Sequence, residues 1–176
     1  MTLGEAWVSA WEFAAHAHRE QKVPGTGLPY LVHLGTVALE VMAAHQQRPL
    51  ERPSLAIQCA ILHDTLEDTA TEESEIVSRF GPEVAAGVRA LTKDETLPKA
   101  DAMADSLQRI RAQSRDVWAV KLADRIANLK KPPPHWSADK IASYRVEAQT
   151  ILAALGEGHE VLAARLARRI AEYPPG

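Results

Sequence analysis

An apolar run that ends in a cluster of acids restricts this chain more than any other feature. Leu55, Ala56, Ile57, Cys59, Ala60, Ile61 and Leu62 leave no polar face, which reads as a buried helix. His63, Asp64, Glu67 and Asp68 follow at once, a histidine and three carboxylates within six residues. If the helix continues at about 100° per residue, His63, Glu67, Asp64 and Asp68 fall at about 0°, 40°, 100° and 140°, one contiguous face. Burying that many acids is costly unless a cation or a hydrogen-bond network compensates them. A neighbouring His-Asp pair offers one imidazole nitrogen and one carboxylate oxygen, a ligand mix suited to a divalent metal. For a lone His-Asp dipeptide, a solvated acidic helix end is the better reading. The apolar run before it, and partners elsewhere in the chain, reverse that preference.

With 176 residues the chain is read as one compact domain spanning 1–176, long enough to bury a core. Its 46% hydrophobic content is too high for a disordered chain. The net charge of −3, from 20 basic and 23 acidic side chains, argues against nucleic acid as a partner, which needs a surplus of Lys and Arg. It leaves room for a local basic pocket. Cys59 sits inside the apolar run and is read as a small core residue; a single cysteine builds no disulfide framework. No signal-peptide pattern opens the sequence, and no apolar stretch reaches the ~18 residues of a membrane span. The expectation is a cytoplasmic protein with no membrane association.

No segment keeps the apolar–polar alternation of a strand, so the fold class expected is all-α. Trp7, Val8, Ala10, Trp11, Ala14 and Ala15 suggest one helical face between about 4 and 20, with His16 and His18 as surface or cap residues near its end. Two prolines and two glycines make residues 23–29 a loop, which presents His33 at the start of a second helix. Ser54 and Thr71 are placed as helix N-caps, and Phe80-Gly81-Pro82 as a joint between two helices. A further helix is expected to reach about Gln113. Residues 117–129 are apolar nearly all round and read as a core helix, although they include Asp124. Ser137 caps a helix reaching Leu155, and Gly156 and Gly158 divide it from a last helix whose Arg165, Arg168 and Arg169 read as a solvated face.

An aspartate in so apolar a helix needs a partner. A salt bridge to Lys121 or Arg125 is the structural alternative, but each is read as only partly facing Asp124. Bringing His33, His63, Asp64 and Asp124 together gives two imidazoles and two carboxylates on three helices. That set would hold a divalent ion and leave positions open for water and substrate.

The order H…HD…D resembles the HD phosphohydrolase superfamily, and more closely the hydrolase domain of the RelA/SpoT family. The resemblance is carried by Gly27-Leu28-Pro29-Tyr30-Leu31-Val32-His33, by residues 60–69, by Phe80-Gly81, by Leu91-Thr92-Lys93 and by Lys121-Leu122-Ala123-Asp124-Arg125-Ile126-Ala127-Asn128. The Glu67-Asp68 pair separates this family from generic HD proteins. Thr96-Leu97-Pro98-Lys99 and the stretch from Trp136 to Tyr144 are similar to the small stand-alone members, the metazoan SpoT homologues.

The resemblance implies an HD-domain helical bundle and a manganese ion on His33, His63, Asp64 and Asp124. It also implies removal of the 3′-pyrophosphate of ppGpp or pppGpp, giving GDP or GTP and pyrophosphate. Glu67 and Asp68 match the pair that positions or activates the attacking water. Asn128, Lys99, Lys140 and Tyr144 match nucleotide-contacting positions. Where the family offers an Arg-Lys pair to the base, this chain has only Lys22 followed by Val23, and it has Leu34 where Pro often follows the first metal histidine. Two alternatives stand beside this reading: a 2′-phosphatase of NADPH using the same site, and a catalytically idle HD module that senses a nucleotide. The intact Glu67-Asp68 pair speaks against the second, since a sensor has no need of it.

Overall fold

The computed structural model describes residues 2–94 and 96–175, without the side chains of Leu3, Lys99 and Ala100. It is all-α, as expected. The helices are α1 (Leu3–Ala17), α2 (Leu31–Gln47), α3 (Pro53–Leu62), α4 (Thr65–Asp68), α5 (Glu73–Phe80), α6 (Pro82–Leu91), α7 (Lys99–Arg111), α8 (Arg115–Asn128), α9 (Ala138–Leu155) and α10 (Glu160–Glu172). A 3₁₀ turn, Gly156–Gly158, joins the last two. Among the described residues the only extended pairing is an isolated bridge between Lys22 and Pro29. No described helix is long and apolar enough to cross a membrane.

The core explains the order of packing. Helix α8 is buried along almost its whole length, from Asp116 to Ala127, and lies against α2, α3, α9 and α10. Helix α3 is buried from Leu55 to Leu62 and is enclosed by α1, α2, α6 and α8. Leu34, Leu62, Leu122, Ile126, Ile151, Leu162 and Leu166 are fully enclosed in one hydrophobic cluster. Each such side chain contributes about 1.5–3 kcal/mol by leaving water. Helix α3, which leads into His63, and helix α8, which carries Asp124, are thus the two most deeply held.

Local chemistry sets the ends. Thr2 and Glu5 form a reciprocal capping box at the start of α1. Ser137 caps α9 through the Lys140 N–H. Gly81 closes α5 and opens α6 with φ +88° and ψ 165°, a conformation that residues with a Cβ rarely adopt, and Pro82 follows at the first helical position.

Several local readings of the sequence are corrected here. The buried face of α1 is Ala6, Ala10, Phe13 and Ala14; Val8 and Trp11 look outward. Its apolar residues cover more than half the helix, and α3 selects the narrow side that lets two backbones approach. Arg52 and Glu72 occupy the N-cap positions expected for Ser54 and Thr71. Helix α7 ends at Arg111, short of Gln113. Arg165 is not simply solvated, because it forms two hydrogen bonds with Glu40 and so ties α10 to α2.

Candidate metal centre and adjoining cavity

His33 lies in the first turn of α2, three residues after Tyr30, the N-cap residue. His63 and Asp64 do not lie on a continuous helix. Helix α3 stops at Leu62, and the pair forms a turn before the short α4. In one unbroken helix, adjacent side chains would diverge by about 100°; the turn lets both aim at the same point. The contiguous helical face expected from the sequence is therefore replaced by a joint. Asp124 reaches the same point from the last turns of α8.

The four side chains converge. His33 Nε2 is 3.2 Å from His63 Nε2. Asp64 Oδ2 lies 2.9 Å from His63 Nε2 and 3.4 Å from His33 Nε2. Asp124 Oδ1 lies 3.5 Å from His33 Nε2 and 3.7 Å from His63 Nε2. His63 Nδ1 donates to the Ala60 carbonyl at 2.8 Å, which fixes the ring with Nε2 toward His33; Nε2 offers a lone pair only when the ring is neutral. Two ring nitrogens this close, flanked by carboxylates, need a proton or a cation between them. Burial pushes His63 down, but the Asp64 and Asp124 carboxylates outweigh it and raise it to about 10. Burial works against both carboxylates, but His63 and His33 outweigh it at Asp64, and the Lys121 ammonium followed by the two histidines outweighs it at Asp124, so both are held well below the usual carboxylate range.

Two nitrogens and two oxygens in this arrangement fit a divalent transition ion. His33, His63 and Asp64 have donor atoms mutually within 4.8 Å and could hold one. Asp124 stands just outside that group, with more partners than the sequence suggested. Lys121, one turn earlier, places Nζ 3.0 Å from Oδ2, and Asn128 donates to Oδ1 at 2.6 Å. Lys121 is at i−3, a spacing that does face Asp124, so the reading of a poorly placed neighbour is corrected.

A cavity of about 500 Å³ opens beside the cluster. Glu67 and Asp68 line it, each held by a different segment. Glu67 accepts from the Lys93 backbone N–H at 2.9 Å and from Lys93 Nζ at 3.3 Å. Asp68 accepts from Gln21 Nε2 at 2.9 Å, and Gln21 Oε1 accepts in turn from His18 Nδ1 at 2.5 Å. His18 caps α1, as expected, but is buried and stacked on Tyr30. Asn128, Lys140 and Tyr144 also line the cavity. Lys22 does not: it is exposed on the loop whose backbone bridge it shares with Pro29. The Lys99 side chain lies outside the described residues.

Sequence reasoning gave no site role to Tyr30, Gln21 or Arg125. The Tyr30 hydroxyl reaches Asp64, and Arg125 lies with its guanidinium 4.4 Å over the Tyr144 ring. Only the i to i+3 spacing of Tyr30 and His33 could have hinted at the first.

The comparisons agree with this architecture. The HD domain family matches residues 10–160, and the chain belongs to that family. A Danio rerio protein named guanosine-3′,5′-bis(diphosphate) 3′-pyrophosphohydrolase MESH1 is 36% identical over 75% of this chain and 74% of its own length. Its Mus musculus counterpart is 32% identical over 78% and 77%. A solved structure, described as a metazoan orthologue of SpoT that hydrolyses ppGpp, superposes with a TM-score of 0.82 at 24% identity and covers 96% of both chains.

Proposed function

We propose that this chain is a hydrolase acting on the 3′-pyrophosphate of ppGpp and pppGpp, releasing GDP or GTP and pyrophosphate. The observation that carries the reading is one cavity joining the His33–His63–Asp64–Asp124 cluster to the Glu67-Asp68 pair. The relatives of similar length, named for this reaction, support it. We take the chain to be a single hydrolase domain with a manganese ion on those four residues. When bound, such an ion supplies Lewis acidity toward phosphoryl oxygens.

The remaining work falls to side chains. Lys93 holds Glu67 through both its backbone and its ammonium, so the carboxylate points into the cavity without needing to reorganise. Glu67 or Asp68 takes a proton from the attacking water as its oxygen bonds to phosphorus. The bond from that phosphorus to the ribose 3′-oxygen breaks, and this oxygen receives the proton. Lys140 lines the same cavity and offers a point charge to phosphate, while the Tyr144 ring provides an apolar wall.

The test is incubation of purified protein with manganese and a panel containing ppGpp, pppGpp and NADPH, with chromatographic product analysis. GDP and pyrophosphate from ppGpp are expected, with little phosphate from NADPH. Asp64→Ala and Asp124→Ala should lose both the ion, by elemental analysis, and activity while keeping helical content. Phosphate release from NADPH alone would replace the substrate, and metal retained in both variants would remove the ligand set.

A further inference from the structure

Among the described residues four cations line the cavity, and three are already engaged or exposed. Lys93 is bonded to Glu67 and Lys121 to Asp124, while Lys140 is exposed with Nζ 5.4 Å over Trp136. Arg125 differs. It is 5% exposed, yet Nε and Nη1 have no hydrogen-bond partner among the described residues. Its ion-pair partner, Glu147, stands 3.6 Å from Nη2, beyond hydrogen-bond range. The guanidinium lies 4.4 Å over the Tyr144 ring, which fixes its plane. A buried charged group with unused donors is expensive to keep. A planar fork held in place beside a cavity suits a tetrahedral oxyanion better than a lysine does.

We propose that Arg125 is a phosphate-binding residue and that Glu147 is a placeholder carboxylate which substrate phosphate displaces. Glu147 is the member free to leave, since its side chain is 39% exposed against 6% for Arg125. In the free protein it partly neutralises the guanidinium across 3.6 Å. An incoming phosphate supplies more charge and closer oxygens, so the pair opens and Arg125 gains the bonds it lacks. This rests on the phosphohydrolase reading for the identity of the substrate, but the contact itself requires only a phosphate group.

Titration calorimetry of inorganic pyrophosphate into the purified protein tests it. Arg125→Lys and Arg125→Met should weaken pyrophosphate by about 10- to 100-fold, the range of a lost charge-assisted hydrogen bond. In ppGpp turnover they should raise KM while leaving kcat within about threefold. Glu147→Gln should bind pyrophosphate about three- to tenfold more tightly, which loss of a merely structural ion pair would not produce. Unchanged affinity in Arg125→Lys, or no pyrophosphate binding by the wild type, overturns the phosphate contact. A Glu147→Gln protein that binds no more tightly than wild type overturns the placeholder role, and this variant decides the matter if the Arg125 variants lose helicity. Arg125-dependent pyrophosphate binding without ppGpp hydrolysis would leave this inference standing and remove the substrate assignment alone.

Discussion

The Tyr30 hydroxyl donates a 2.6 Å hydrogen bond to Oδ2 of Asp64, the same oxygen that lies 2.9 Å from His63 Nε2. The phenol is half-buried beside acids, and that burial followed by the Asp64 charge pushes its ionisation far up, so it remains a donor. Tyr30 therefore aims a proposed metal ligand from outside the ligand set.

Tyr30→Phe should keep the ring stacked on His18 and the helical content while releasing Asp64. Removing such an outer partner typically costs about 10- to 100-fold in metal affinity. Manganese titration with circular dichroism as a control measures it. Wild-type affinity would mean that His63 alone orients the carboxylate.

Glu67→Gln separates holding a metal from moving a proton. The glutamine can still accept from Lys93, and Glu67 is not a proposed ligand, so the ion should remain. Turnover of ppGpp should fall by roughly 10²-fold or more, as expected on removing a general base. A variant with normal turnover would shift the proton to Asp68.

The core offers a prediction independent of the site. A Cβ added to Gly87 of α6 would lie 2.6 Å from Cys59 Sγ and 3.3 Å from Val117 Cγ2. Gly87→Ala should cost about 1–3 kcal/mol through overpacking, a fall in Tm of about 2–4 °C for each kcal/mol at this chain length. In a Cys59→Ala background the same substitution should cost less, because the sulfur is gone. Equal costs in both backgrounds, by thermal denaturation, would place the strain elsewhere.

Much of this was legible in the sequence because it depends on local pattern. Helix α8 showed itself by being apolar all round, and the loop before His33 by its prolines and glycines. The break at His63-Asp64 was not legible, since the angular arithmetic presumes a continuous helix and nothing between Leu62 and Thr65 is a helix breaker. Lys22, which the resemblance sets beside the base, lies on an exposed loop outside the cavity lining, where its backbone bridges Pro29. Tyr30 and Arg125 stayed hidden because their meaning lies in what tertiary packing sets against them, Asp64 and Tyr144.

The exposed loop of residues 23–28 has both its stems fastened to the acid segment: Gln21 to Asp68 on one side, Tyr30 to Asp64 on the other. It cannot lift as a flap without breaking one of these bonds. Its amides therefore act as a remote gauge of the acids beneath, and their hydrogen-exchange rates should change whenever either carboxylate changes partner.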